Sequence, residues 1–349
     1  MNKGNITMND RLKNIVEPII AWYQKEEKNL PWKQDKEPYH IWISEIMLQQ
    51  TRIEAVKKYY IRFIQELPTV QDLAKIEETK LLKLWEGLGY YSRARNLKKA
   101  AQIIAEKYQG EVPRTYHELI QLPGVGEYTA GAIASICSNE KVTAVDGNVL
   151  RVISRVIGST ENVLLPETKK KITEMVQQIL PKESGDFNEG IMEIGEKICV
   201  PNGTPLCDKC PIQKYCYARE NNVIDKIPIR IKDVKRKIEN KTVFIIITED
   251  GKIAICKRSD KGLLARMYEL PNVEEFLTIE EVKEELKNRN LEIIEIKQNK
   301  DKKHIFTHIE WKLKSYQIVV KKENKDYIWV SQKELNNEYA LPTAFSKLI

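Results

Sequence analysis

The feature that most constrains this chain is a change in the spacing of its apolar residues near position 221. Upstream the spacing is helical. Leu12, Ile15, Val16, Ile19 and Ile20 form one stripe, and Leu97, Ala100, Ala101, Ile104 and Ala105 another. Pro68, Gly87, Gly110, Pro113, Pro123 and Gly124 cut this region into pieces short enough for many helices with short connections. Downstream, VFIIIT (243–248), KIAICKR (252–258), LEIIEI (291–296), EWKLKSYQIVV (310–320) and YIWVS (327–331) are short β-branched or alternating runs, with one helical pattern at 279–287. The two periods place apolar residues on one face only of helices and strands respectively, so they predict two domains. These are an all-α region over 1–221 and a small α+β domain over 242–349, joined by a charged, proline-containing linker over 222–241. With 349 residues, each part is long enough to bury its own core.

The 57 Lys and Arg against 50 Asp and Glu leave a net charge of +7, which favours a polyanionic partner without identifying it. The opening MNKGNITMNDRLKN has no apolar signal-like run, and no stretch of about 18 apolar residues follows, so the expectation is a cytoplasmic protein without a membrane partner. In that reducing compartment disulfides are not expected. Four of the six cysteines, Cys199, Cys207, Cys210 and Cys216, fall in a C-x7-C-x2-C-x5-C pattern that points to a metal centre. Spacing leaves tetrahedral zinc and a [4Fe-4S] cluster equally open. Cys137 and Cys256 lie apart in apolar contexts that suit core packing.

LPGVGEYTAGAIASIC (122–137) begins with a tight Gly124-Val125-Gly126 turn and continues as an apolar helical stripe, while Tyr116, Leu119 and Ile120 suit a short helix before it. Two helices joined this way leave unpaired amides at the start of the second, where a phosphate can bind, and glycine lets the backbone turn sharply and approach closely.

The hairpin near 116–137, the cysteine loop 199–216 and VDGNVLRVISR (145–155) together resemble the helix-hairpin-helix glycosylase superfamily that includes endonuclease III. LPW (30–32), SEIMLQQT (44–51), EGLGYYSRARNL (86–97) and FNEGIMEIG (187–195) narrow the resemblance to MutY-type adenine DNA glycosylases, over nearly the whole chain. The resemblance implies a [4Fe-4S] cluster on the four cysteines and, as partner, double-stranded DNA with adenine mispaired with 8-oxoguanine, acted on by a nucleoid-associated monomer. It implies base excision repair: hydrolysis of the adenine N-glycosidic bond, with guanine as a further possible opposing base. Seven residues, VPNGTPL, separate Cys199 from Cys207 where the family more often has six.

By the same resemblance Glu45 is the acid that protonates adenine N7 and Asp146 stabilises or traps the sugar cation, oriented by Asn148. This is the logic of a two-carboxylate glycosidase. Ile43, Ile46, Met47 and Leu48 suit a desolvated carboxyl of raised pKa. Read without the family, Glu45 is an exposed helix residue and Asp146 a helix N-cap. Tyr128 stands where bifunctional relatives carry a lysine; a phenol cannot form an imine, so the expected product is an abasic site in an intact strand. Gln50, Thr51, Leu88 and Tyr90 match positions that enter or line the opened stack around the oxidised guanine, and Trp32 and Glu189 match positions around the flipped adenine. Arg93, Arg95, Lys98 and Lys99 read as solvated surface charge.

GLLARMYELPN (262–272) resembles the Gly-Leu-rich stretch of a MutT-type Nudix fold, but the Nudix metal box is missing, so this domain is expected to recognise and not hydrolyse. The family's Phe-Ser-His reader of 8-oxoguanine is here Phe306-Thr307-His308. Two other readings stay open: a pyrimidine glycosylase with lyase activity, and a non-catalytic iron-sulfur DNA-binding protein.

Overall fold

A computed structural model describes residues 6–26, 29–231 and 236–349. The first five residues of the opening segment and residues 232–235 of the expected linker lie outside the described residues.

The chain begins with helices α1 (Met8–Asn14), α2 (Val16–Tyr23), α3 (Pro38–Leu48), α4 (Ile53–Glu66), α5 (Val70–Lys75) and α6 (Glu78–Leu84). It continues with α7 (Ser92–Lys107), α8 (Tyr116–Leu119), α9 (Glu127–Ser138), α10 (Gly147–Ile157), α11 (Pro166–Ile179), α12 (Ser184–Glu193) and α13 (Tyr217–Glu220). The cysteines fall between α12 and α13, after a π-helical turn at Ile194–Ile198. Packing resolves the chain into two compact units, and the division is not simply at residue 221. One unit holds the described residues up to Lys75 and from Asn96 to Ile231; the other holds Ile76–Arg95 with the C-terminal residues. Helix α6 and the turn after it, written into the helical region by sequence order, therefore pack as part of the sheet unit.

The core of the helical unit gathers Ile15, Ile19, Val149, Val152, Ile153, Phe187 and Ile191 from α2, α10 and α12. The hairpin forms as its glycines require. Gly124 has φ +79°, in the left-handed region, and a Cβ there would lie 2.7 Å from the Cβ of Asn96. Gly126 caps α9 with no side-chain hydrogen bond to its first-turn amides. The first half of the expected linker is not free chain. Arg155 Nε donates to Ile227 O at 2.8 Å, Val163 N to Ile229 O at 3.0 Å and Asn162 Nδ2 to Ile231 O at 3.2 Å, which ties 227–231 to the helical unit.

In the second unit, β1 (Lys237–Thr248) starts inside the expected linker and runs parallel to β7 (Ile309–Val320) over its full length. The other strands are β2 (Ile253–Lys257), β3 (Tyr268–Glu269), β4 (Asn272–Val273), β5 (Ile293–Gln298), β6 (Lys302–Ile305) and β8 (Ile328–Val330), all paired antiparallel, in a sheet with the central order β3-β2-β1-β7-β5. The apolar run of β1 has a direct cause: both of its faces are covered. Val243 and Ile245 pack with Trp311, Leu335 and Phe345 from the side of α15 (Gln332–Asn337) and α16 (Thr343–Ser346). Phe244 and Ile246 pack with Val282 and Leu286 of α14 (Ile279–Asn288). Three very short strands and the last two helices were not anticipated from the sequence; β3 and β4, for example, hold two residues each.

Candidate active site and base-reading surface

Glu45 sits on α3 among buried apolar neighbours in sequence, Ile43, Ile46 and Met47, and it is only 9% exposed. Burial pushes its carboxyl up to about 7, with Glu189 and Asp146 adding to the rise and the Tyr128 hydrogen bond and Lys33 opposing it. The expected desolvated acid is thus where the apolar sequence around it puts it, and at neutral pH roughly half of such groups hold a proton. Tyr128, on the first turn of α9, donates its hydroxyl hydrogen to Glu45 Oε2 at 2.7 Å. Burial and the adjacent Glu45 push the Tyr128 phenol well above its ordinary value, so it stays a neutral donor.

Asp146 is the N-cap of α10. Its Oδ1 accepts from the backbone N–H of Asn148 at 2.9 Å and of Val149 at 2.8 Å, while Oδ2 accepts from Asn148 Nδ2 at 2.8 Å. Burial raises its pKa against the pull of these three donors. The cap fixes the carboxylate at a helix N-terminus with the positive end of the dipole beside it. Asn148 is held in turn by Arg151, whose Nη2 donates to Asn148 Oδ1 at 2.8 Å and to Gly195 O at 2.6 Å, and whose Nε donates to Cys199 O at 2.7 Å. The second glycine of FNEGIMEIG makes this fit possible: a Cβ on Gly195 would lie 2.5 Å from Asn148 Cβ.

Glu189, on α12, is 7% exposed and pairs with Lys33 at 3.2 Å. Lys33 also pairs with Glu193 and lies 5.2 Å from the centre of the Tyr23 ring. Sequence reasoning missed this lysine. The signal was available, since a site gathering Glu45, Asp146 and Glu189 needs a buried cation, and LPW is followed directly by Lys33. Trp32 is a core residue, its ring edge-on to Tyr60 with centroids 5.4 Å apart. Gln50 is exposed just past the end of α3 at φ +57°, and Thr51 Oγ1 donates to Gln49 O at 3.3 Å.

The four cysteines line one pocket together with Arg155, Ile198 and Ile212. Arg155 Nη1 donates to Cys199 Sγ at 3.1 Å, a charge suited to a thiolate. Among the described residues, no three His, Cys, Asp or Glu side chains converge on the position of a single ion. Four thiols around one pocket are a donor set of the kind that holds a metal centre.

In the second unit, Leu88 is buried and Tyr90 is 47% exposed, on a turn with Gly87, Gly89 and Tyr90 all at positive φ. Tyr90 and Thr307 share a hydroxyl–hydroxyl hydrogen bond of 3.1 Å. Thr307 and His308 are exposed at the hairpin tip between β6 and β7. Phe306 is half-buried and anchors that tip, its ring 4.8 Å from Trp311 and 4.6 Å from His304. The reading of Arg93 and Arg95 as solvated charge is corrected here. Arg93 is buried, donates to Leu88 O and Gly89 O at 3.1 Å each, and is held down to about 10 by burial. Arg95 Nη1 donates to Ala265 O at 3.0 Å. Both guanidiniums satisfy backbone carbonyls, a use that sequence charge does not reveal.

Residues 43–182 match the HhH-GPD superfamily base excision DNA repair protein family, and residues 242–349 match the NUDIX domain family. An adenine DNA glycosylase of Buchnera aphidicola subsp. Schizaphis graminum is 39% identical over 290 residues, 82% of this chain and 80% of that protein. One of Buchnera aphidicola subsp. Baizongia pistaciae is 34% identical over 342 residues, 95% of this chain and 94% of that one. Among solved structures, a thermostable thymine-DNA glycosylase superposes with a TM-score of 0.55 at 32% identity, over 61% of this chain and 98% of its own. A non-covalent endonuclease III–DNA complex superposes with a TM-score of 0.52 at 25% identity, over 61% and 97%. With a buried carboxyl near neutral pKa, a capped aspartate in its field and relatives matched along almost the full length, this chain belongs to the adenine DNA glycosylase family of base excision repair enzymes.

Proposed function

We propose that the protein is a monofunctional glycosylase that removes adenine mispaired with 8-oxoguanine in duplex DNA and leaves an abasic site. The observation that carries the reading is the Tyr128–Glu45 hydrogen bond of 2.7 Å, which sets a near-neutral acid beside a phenol and within the field of Asp146. The Glu45 carboxyl delivers its proton to N7 of the extruded adenine as the C1′–N9 bond breaks. The Asp146 carboxylate faces the positive C1′, and the water that adds there returns a proton to Glu45. Glu189, paired with Lys33, accepts from the adenine amino group.

Cys199, Cys207, Cys210 and Cys216 would hold a [4Fe-4S] cluster, which braces the loop that Arg151 and Arg155 grip. The amides of Val125 and Gly126 and the start of α9 are suited to a backbone phosphate. Gln50, Thr51, Leu88, Tyr90, Thr307 and His308 read the opposing strand, and guanine opposite adenine is the weaker substrate. Among the described residues no helix is long and apolar enough to cross a membrane.

Single-turnover assays on duplexes with adenine opposite 8-oxoguanine, adenine opposite guanine, and an oxidised pyrimidine test the reading. The expected order of rates is the order just given, with no strand cleavage and no borohydride-trapped adduct. Preferential release of the pyrimidine, or a trapped adduct on Tyr128-containing protein, would replace it with the lyase reading.

A further inference from the structure

Within the second unit, the turn bearing Leu88 and Tyr90 follows directly on an ion pair that the reaction does not use. Lys83, with its side chain 17% exposed, donates to Glu86 Oε2 at 2.7 Å, to Tyr339 O at 3.0 Å and to Leu335 O at 3.2 Å. An ammonium has three donors, and all three are committed. The other oxygen of Glu86 accepts the backbone N–H of Leu341 at 2.7 Å. The pair thus closes on both ends of the stretch that joins α15 to α16. Leu335 and Tyr339 lie at the C-terminal end of α15, where carbonyls lack helical partners and a cation is favoured.

The chain then enters Gly87, Leu88, Gly89 and Tyr90, three of them at positive φ. Such a turn has no helical or strand ladder to set its direction, so its two ends must. Downstream it is held by Arg93 on Leu88 O and Gly89 O and by Arg95 on Ala265 O, and at its tip by Tyr90 on Thr307. Within the turn the Trp85 indole N–H donates to Gly89 O at 3.1 Å and the Gly87 N–H to the Tyr91 hydroxyl at 3.3 Å, and upstream the Lys83–Glu86 pair anchors the segment to the α15–α16 connection. We infer that Lys83 and Glu86 are positioning residues: they clasp the α15–α16 connection, fix the 87–90 turn against the hairpin tip at 306–308, and so set selectivity for the damaged base from residues that touch no DNA. The geometry of the clasp stands alone; its consequence for selectivity rests on the function proposed above.

The test uses the full chain with Lys83→Met, Glu86→Gln and Lys83→Arg. Amide hydrogen exchange of the free protein is followed over 87–91, and single-turnover adenine release is measured opposite 8-oxoguanine and opposite guanine. Lys83→Met is expected to speed exchange over 87–91 at least tenfold, to lower the 8-oxoguanine to guanine rate ratio at least fivefold, and to leave the rate opposite guanine unchanged. Glu86→Gln, which keeps an acceptor for Leu341 N–H, should give a smaller shift of the same sign and serves if Lys83→Met does not fold. Lys83→Arg should recover most of both. Exchange at the parental rate in both Lys83→Met and Glu86→Gln overturns the clasp, and faster exchange with an unchanged ratio overturns its part in selectivity. If the parental protein does not distinguish the two substrates, the proposed function fails, while the exchange measurement still decides the clasp.

Discussion

The two units handle polar side chains in opposite ways. Around Glu45 and Asp146 in the helical unit, polar side chains pair with one another: Tyr128 with Glu45, Asn148 with Asp146, Arg151 with Asn148, Lys33 with Glu189. In the sheet unit Thr307, His308 and Tyr90 stand exposed at a hairpin tip and a turn, while Arg93, Arg95 and Lys83 behind them bind backbone carbonyls. The contrast suits the two tasks proposed for them. Moving a proton needs a group whose pKa burial has shifted, on an element too rigid to let water in. Reading a base needs an exposed edge whose position is set from behind.

The largest effect that would break this division lies in the helical unit. Glu45→Gln and Asp146→Asn should each lower single-turnover adenine release at least a hundredfold, by the same factor opposite 8-oxoguanine and guanine, with DNA affinity kept. A change in the ratio between the two substrates would mean that chemistry and reading are not separable. The acid role also sets a sign with pH. Glu45 holds its proton below about 7 and loses it above, so the parental rate should fall as pH rises through that value, and a rate rising there would remove Glu45 as the acid.

The same burial makes a stability prediction. An unfolded glutamate ionises near 4.5, whereas folded Glu45 does so at about 7. Between those values the folded state binds more protons, so stability falls as pH rises, by at most about 3 kcal/mol. Glu45→Gln has no charge to bury. It should match the parental protein at pH 4.5 and exceed it by about 1–3 kcal/mol at pH 8 in urea unfolding. Equal stability at both pH values would show that Glu45 is less desolvated than its surroundings imply.

What the sequence made legible depended on the range of the forces involved. Asp146 was readable as a cap because its partners Asn148 and Val149 are its neighbours in sequence. The apolar residues flanking Glu45 announced its burial. Membership of 76–95 in the sheet unit was not readable, because it rests on pairings such as Lys83 with Tyr339 and Arg95 with Ala265. Local spacing carries no trace of contacts across so much chain. Arg93 was misread for a related reason: a guanidinium that will satisfy two turn carbonyls is spelled the same way as one left in water.

A smaller effect sharpens how far the helical unit is pre-organised. Arg151 joins Asn148 Oδ1, Gly195 O, Cys199 O and, at 3.4 Å, Gly147 O, so Arg151→Met removes a donor from four acceptors. Each such loss in a partly buried site costs about 1 kcal/mol or more, and the loss at Asn148 loosens Asp146 directly. Adenine release should fall about tenfold on both substrates alike, with the cysteine loop's metal content measured alongside. Parental rates with a full metal complement would show that Asp146 is positioned by its backbone cap alone.

The smallest effect falls in the sheet unit, where one hydrogen bond joins two of the residues proposed as readers. Tyr90→Phe and Thr307→Val each delete the 3.1 Å hydroxyl pair while keeping the side chain's bulk. A neutral hydrogen bond between exposed hydroxyls contributes about 0.5–1 kcal/mol, which converts to a drop of about two- to fivefold in the ratio of rates opposite 8-oxoguanine and guanine. If the bond works by holding the turn to the hairpin tip, either substitution removes it whole, and the double variant should be no worse than the worse single one. If instead each hydroxyl makes its own contact with the DNA, the two losses multiply. The cycle separates a reading surface that is assembled before DNA arrives from one whose parts act independently, and only the first needs the carbonyl-binding arginines and lysine behind it.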